Sequence, residues 1–532
     1  MIKMKKLGLF FVVSALLMVM AMPLRAQSDD MVGVLKRLDV ADADQKVLVE
    51  QELETIARTM SKTNDDKGKK DLSILFYNYI NNSNDTEGNV FLISMFKYIG
   101  TVRDLPMLNV YVDNDLYADA AIRAMSEIPE YSEFIYKLVE MKDGNLDHKA
   151  SYAYAIGRLK MTDLEDLLIS WLKGADNYLK LEIYNALMRI QSSEALLVAD
   201  NGAKKLYKKK DPVLKIGSMK ILAKTEREKV MPYLYKALKN KDVKVRRTAL
   251  DLMKPYADQD VTALVVKKYA KKDVTADIVW WIGELGDKSH FGFVVEQLSS
   301  SNPKVVEEAI RVVVKFGIDE GMEMLKTMFG GQYQPVIKES FVTADSNIVP
   351  VLKDAVKGDD NKKLCALDIL AEKRCVEMQS NVMELLKSDN PEIKDAAYKA
   401  LKNVVIAQHG EYLRRILESC DEKYVEDVQE AITASMVKAR IKIKDNFVQN
   451  LNNTPTTVLP RYYKVLLAIN TEMSINKLAE CYRSGYDKQQ ALETLMLVND
   501  KEYLPVFKQL ADDQKDENHQ MLQEKYESLI KL

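Results

Sequence analysis

The chain reads as an all-α protein, an α-solenoid of stacked two-helix units. Three observations predict this: a period of about 31 residues between Asp115 and Asn390, a helix-start signature at one phase of nearly every period, and an apolar stripe at helical spacing after each start. Each unit is too small to bury its own apolar face, so such units are stable only as a stack.

The start signature is a short polar residue, found at Asp115, Asp147, Asp176, Asp211, Asp242, Asp273, Asn302, Asp360 and Asn390, with gaps of 32, 29, 35, 31, 31, 29, 58 and 30 residues. The gap of 58 is two periods. Asp and Asn side chains accept hydrogen bonds from the free N–H groups of a first helical turn. Three are followed by proline (Asp211-Pro212, Asn302-Pro303, Asn390-Pro391), whose fixed φ suits the first helical position. After the starts, Val245, Ala249, Leu252 and Met253, and again Val305, Ala309, Ile310 and Val313, recur at helical spacing and predict the buried face of a second helix.

About ten residues before a start lies a shorter pattern that predicts a first helix with proline near its beginning: Leu105-Pro106-Met107-Leu108, Met231-Pro232-Tyr233-Leu234, Val349-Pro350-Val351-Leu352 and Leu504-Pro505-Val506-Phe507. Weaker copies extend upstream around Asn84 to Gly100 and downstream around Glu422, Pro455, Tyr486 and Gln514, for about 14–16 hairpins. The segment Met231 to Gly330, centred on Lys241-Asp242-Val243-Lys244-Val245-Arg246-Arg247-Thr248-Ala249-Leu250, resembles HEAT repeats, especially the short HEAT-like kind also found in phycobilin lyases. That resemblance implies a right-handed superhelix and says nothing specific about function. The Asp and Arg ladder of long HEAT arrays is patchy, with Arg246 or Arg247 well placed and many units lacking a counterpart.

The expected organisation is a signal peptide at 1–26, irregular repeats or a cap at 27–114, regular repeats at 115–420, and degenerate repeats with a cap at 421–532. Ser61 to Lys70, Asn81 to Asn89 and Ala511 to Gln520 read as polar loops. Lys3, Lys5 and Lys6 precede an apolar run from Leu7 to Met22, and Leu24-Arg25-Ala26 offers a small residue before Gln27, the pattern of a secretory leader. The rival reading is a start-anchor helix, for which the run is short. Export to the periplasm or the cell exterior is therefore the expected location. The four cysteines, Cys365, Cys375, Cys420 and Cys481, lie far from the cut and read as buried thiols, with Cys365 and Cys375 the nearest couple for a disulfide.

Formal net charge is −2, and removing the four basic residues of the leader leaves about −6. The distribution is more telling than the total. Residues Asn201 to Lys272 hold 21 Lys or Arg against 7 Asp or Glu. Within them Lys205, Lys236 and Lys267 are 31 residues apart, at one phase of three successive first helices, and Lys208 and Lys239 form a shorter row. Such rows suit an anionic partner through summed point charges; the plainer reading is lysine on the solvent face of outer helices. Nucleic acid is disfavoured, since the block lacks regular aromatic interleaving.

Trp280-Trp281 is the other candidate. Ala249, Ala309 and Ala397 stand seven residues after their starts, where helices press close, and counting from Asp273 gives Trp280 that phase and Trp281 the next. One ring is expected to leave the core, with Tyr256 or Tyr154 as neighbours, and an aromatic on a groove is a frequent binding hot spot; local repacking is the alternative.

Chemistry has little to stand on. His148, His290, His409 and His519 are scattered and form no His-Glu pairs of the kind HEAT-like metal hydroxylases use. Ser-x-x-Lys occurs at Ser94/Lys97, Ser170/Lys173 and Ser301/Lys304 without companion motifs, and no phosphate-binding glycine loop is present. The sequence thus predicts a non-catalytic exported scaffold with no cofactor and no membrane span. It would bind a protein, or failing that an anionic envelope polymer, along an extended concave face of second helices. A HEAT-like lyase or metal-dependent enzyme, and a structural assembly factor of the cell envelope, are the alternatives.

Overall fold

At five of the nine starts the carboxylate or amide oxygen meets the first-turn N–H groups. A computed structural model of the chain describes every residue except 1–32, 39–42, 64, 225–226, 485–486, 514 and 532. The leader at 1–26 lies outside the described residues. All regular structure among those described is helical.

Two compact units divide the chain, residues 1–257 and 258–532. In the first, the described residues form seven hairpins that stack through their second helices, which are Ala43–Thr63, Thr86–Ile99, Ala118–Met125, Lys149–Arg158, Asn177–Ile190, Pro212–Leu222 and Val243–Met253. In the second, the described residues form nine hairpins with second helices Asp273–Leu285, Pro303–Phe316, Gln334–Thr343, Asp360–Leu370, Pro391–Val404, Val425–Met436, Tyr463–Ile469, Lys488–Met496 and His519–Lys531. Each unit is an α-solenoid of stacked two-helix repeats.

Asp176, Asp211, Asp242, Asn302 and Asn390 are N-caps whose side chains accept from the following turn. Four other starts are offset. Asp360 is the first helical residue, because Asp359 takes the cap. Asp273 is likewise inside its helix, capped by Lys272 at φ 53°. Asp147 precedes a His148 cap at φ 50°, and Asp115 sits in the turn before Tyr117. The period missing between Asn302 and Asp360 is present as Gln334–Thr343; it opens on Tyr333 with Pro335 in its first turn and carries no Asx cap.

Among the first-helix prolines, Pro106, Pro350 and Pro505 lie in the first turn, whereas Pro232 lies inside Arg227–Ala237. Two segments expected to be polar loops are mostly helical. Asp65 accepts from the Gly68 N–H at 2.9 Å and Asp85 from that of Gly88 at 3.1 Å, so helices Asp66–Asn82 and Thr86–Ile99 begin early and leave only short turns.

The apolar stripes are buried as their spacing dictates. Val305, Ala309, Ile310 and Val313 are at most 1% exposed, and so are Val245, Ala249 and Met253. Leu250 takes the place expected of Leu252, which is half-buried. Each fully buried aliphatic side chain contributes roughly 1.5–3 kcal/mol of transfer free energy. Helices approach most closely at the alanine and glycine phase: a Cβ on Gly157 would lie 2.4 Å from Cα of Ala186 in the next second helix.

Polar side chains tie several hairpins to a neighbour one period away. At the N-terminal ends, Asn302 Nδ2 donates to Asp273 Oδ1 at 2.9 Å and Asn390 Nδ2 to Asp360 Oδ2 at 2.9 Å. Ser151 Oγ donates to Asp119 Oδ1 and the Tyr178 hydroxyl to Asp211 Oδ2, each at 2.6 Å. At the C-terminal ends the acceptors are the orphan carbonyls of the preceding helix. Lys315 donates to Gly283 O at 3.3 Å, Asn403 Nδ2 to Ala371 O at 2.8 Å, Ser346 to Val314 O, and Lys373 to Ala344 O. All eight bonds span 29 to 33 residues, so the period seen in the sequence is also the reach of the lateral hydrogen bonds.

Arg246 is 7% exposed and spends one guanidinium nitrogen, Nη1, on Asn240 O and Lys241 O, both at 2.9 Å. It thereby clasps the turn that precedes its own helix.

Candidate functional site: a lysine patch and a second-helix face

Lys205 lies in the last turn of Ser193–Tyr207 and Lys236 in that of Arg227–Ala237, both first helices of the first unit. Basic residues there are favoured by the exposed carbonyls of a helix C-terminus. The two helices meet through Tyr207 and Tyr233, whose rings are edge-to-face at 5.1 Å and whose link is completed by the Tyr207 hydroxyl donating to Tyr233 O at 2.8 Å. Lys205, Lys208, Lys209, Lys210, Lys236 and Lys239 are exposed around that junction. Lys204 is spent on Asp200 at 2.5 Å, but Lys205, Lys208 and Lys236 have no carboxylate within ion-pair distance among the described residues. Lys215, which donates to Tyr207 O at 2.8 Å, has its pKa lowered by burial and then by the nearby charge of Lys236.

Lys267 is exposed near the end of Gln259–Tyr269 and belongs to the second unit. The lysines therefore stand on first helices, whereas the tryptophan pair stands on a second helix, Asp273–Leu285. Trp281 is 0% exposed, with no partner for Nε1 among the described residues. Trp280 is half-buried on the stripe that also carries Asp273 and Glu284. The one-residue shift of the cap to Lys272 sets these orientations: seven residues after the cap stands Val279, fully buried, and Trp280 is turned about 100° away. Tyr154 and Tyr256 lie in the first unit.

Tyr154 has other neighbours. The Arg123 guanidinium from the preceding second helix lies 4.7 Å from its ring centre, and that of Arg189 from the following one lies 4.6 Å away. Arg123 also faces Glu182 at 3.8 Å, while Nη1 of Arg189 is buried without a hydrogen-bond partner among the described residues. Burial, and then the charge of Arg189, lowers the pKa of Lys224. Sequence reading missed this Arg-Tyr-Arg stack because its members lie far apart; the signal was register, Tyr154 standing 31 residues after Arg123.

All four cysteines are free thiols, with Cys375, Cys420 and Cys481 buried. Among the described residues no three His, Cys, Asp or Glu side chains gather as a metal site, and no helix is long and apolar enough to cross a membrane. His148 instead bridges Asp115 at 3.5 Å and Asp119 at 3.6 Å, and His290 faces Asp287 at 3.5 Å.

No family model matches the chain, and no curated protein matches it in sequence. Among solved structures it is similar to importin beta crystallised in an ammonium sulfate condition, with a TM-score of 0.34, 12% identity and 94% of this chain covering 67% of that one. UNC-45 from Drosophila melanogaster gives 0.23, 12%, and 94% of each chain. An engineered protein gives 0.20, 16%, and 82% of this chain against 98% of that one. The fold class rests on the chain's own hairpins and on the lateral bonds between them.

Proposed function

We propose that the protein is an exported, non-catalytic scaffold that holds an acidic face of a partner protein, with the lysine patch of the first unit as the contact. The observation that carries this reading is the exposure of Lys205, Lys208 and Lys236 at one helix junction without carboxylate partners among the described residues. Charges left unspent within the fold are available to a partner, and their sum steers association. The Arg-Tyr-Arg stack on the second-helix face supplies a rigid, partly desolvated surface of the same sign.

The test is a set of charge reversals, Lys205→Glu, Lys208→Glu and Lys236→Glu together, with Lys267→Glu made separately. Binding of fluorescein-labelled decaglutamate is followed by anisotropy at increasing salt. The expected result is at least a tenfold loss of affinity and a flatter salt dependence in the triple variant, with helical circular dichroism unchanged. Undiminished binding in that variant overturns the reading, and binding of inorganic polyphosphate alone moves the patch to an anionic polymer. Export is tested by the mass of the protein from the envelope fraction, expected to begin at Gln27.

A further inference from the structure

At the C-terminal ends of several second helices a polar side chain donates to a carbonyl one period away, as Lys315, Ser346, Lys373 and Asn403 do. One place in the second unit departs from this. Beyond the ends of three successive second helices, Asp360–Leu370, Pro391–Val404 and Val425–Met436, lies a groove of about 760 Å³. Its rim carries Arg374, Lys438 and Arg440, and its floor includes Ile406, Val437 and Ile443. No carboxylate lines it.

Arg374 conforms in part, donating from Nη2 to Val405 O at 3.4 Å. Lys438 and Arg440 do not. Both are exposed, and neither side chain has a hydrogen-bond or ion-pair partner among the described residues, whereas Lys444 on the next helix donates to Ile469 O at 3.1 Å. Attraction of cations to helix C-termini accounts for one such residue near Met436. It does not account for two unspent cations lining one groove with a third beside an apolar floor. Val437, which lines the groove immediately before Lys438 in sequence, is 54% exposed. Leaving this aliphatic side chain in water forgoes about 1–2 kcal/mol, which a covering ligand recovers.

We infer that this groove docks an extended acidic segment of a partner protein, in which an apolar side chain is flanked by carboxylates. Complementarity of charge selects the carboxylates, which pair with Arg374, Lys438 and Arg440 at the rim. The apolar floor selects the residue between them. Length selects an extended chain over a compact ligand: three neighbouring helices at 8–10 Å spacing give a groove roughly 20 Å long, matching about six residues of extended peptide. The inference goes beyond the lysine patch, since it uses different residues in a different compact unit and requires an apolar contact that the patch does not.

The test uses the full chain and the fluorescein-labelled hexapeptide Glu-Glu-Leu-Leu-Glu-Glu, with Glu-Glu-Ser-Ser-Glu-Glu and Lys-Lys-Leu-Leu-Lys-Lys as controls. The Leu peptide is expected to bind with Kd below about 1 mM, at least fivefold tighter than the Ser peptide, and the Lys peptide is expected not to bind. The exposed pair Lys438→Glu and Arg440→Glu should weaken binding of the Leu peptide at least tenfold with an unchanged melting temperature. The lysine-patch triple variant should bind it as the wild type does. Equal affinity for the Leu and Ser peptides, undiminished binding by the Lys438/Arg440 variant, or binding of dodecanoate in the groove without binding of any peptide would each overturn the proposal. Loss of decaglutamate binding in the patch variant alone bears on the patch and leaves the groove standing, so the two readings fail separately.

Discussion

Asn390 Nδ2 donates to Oδ2 of Asp360 at 2.9 Å while Asn390 Oδ1 accepts from the Glu392 N–H at 3.0 Å, so one amide both caps its own helix and fastens it to the helix one period earlier. Asn390→Ala removes both bonds and is expected to lower stability by about 1–2 kcal/mol, above the effect of an ordinary surface substitution. Asn390→Asp keeps the cap but faces Asp360 with a second carboxylate. It should be destabilising at pH 7 and less so near pH 3.5. Urea unfolding of the two variants at both pH values checks this.

Gly157→Ala tests the close approach of neighbouring second helices. The new methyl would sit 2.4 Å from Cα and 2.7 Å from Cβ of Ala186, against backbone that cannot yield as a flexible side chain does. The helix-propensity gain of alanine is outweighed, and a net loss of about 1–3 kcal/mol is expected. A higher melting temperature in the variant would contradict the packing.

The cysteines supply a chemical test of burial. Desolvation, with a smaller effect from Glu377, pushes the Cys375 thiol up to about 11, and burial raises the other three as well. At pH 8 the native protein should react slowly with Ellman's reagent, the half-buried Cys365 first, and all four thiols should titrate at once in guanidinium chloride. A total of two would reveal a disulfide.

His409 gives the second unit a pH response. Burial lowers its pKa, and Nδ1 accepts from the Ile406 N–H at 3.2 Å, which only the neutral ring can do. The unfolded state therefore takes up a proton more readily than the folded one. The stabilisation is complete above the ordinary histidine value of about 6.5 and is lost as pH falls below it. The urea midpoint of the wild type should drop more between pH 7 and pH 5.5 than that of His409→Gln; parallel curves would remove His409 as the cause.

The architecture was legible in the sequence because its determinants are local. Asp211-Pro212, Asn302-Pro303 and Asn390-Pro391 combine a cap with a fixed φ, and the first turn of each helix answers to little else. Two starts were misplaced where the cap residue has positive φ, Lys272 at 53° and His148 at 50°, a backbone choice that Lys and His do not advertise in sequence, and Asp360 was displaced by one because Asp359 takes the cap. The one-residue shift to Lys272 turned Trp280 and Trp281 from the orientations their spacing suggested. Of the candidate site, the lysines were legible as exposed first-helix residues. The Arg123-Tyr154-Arg189 stack and the Arg374, Lys438 and Arg440 groove were not, since each is assembled across two periods and shows only when residues are compared at the repeat spacing.

The lateral bonds of 29 to 33 residues reach one neighbour and no further. Under tension, each unit is accordingly a row of latches in series, in which opening one leaves the next to bear the load. Each release frees about 31 residues of chain, roughly 100 Å of slack, and a stretched unit should lengthen in near-equal steps instead of tearing open at once.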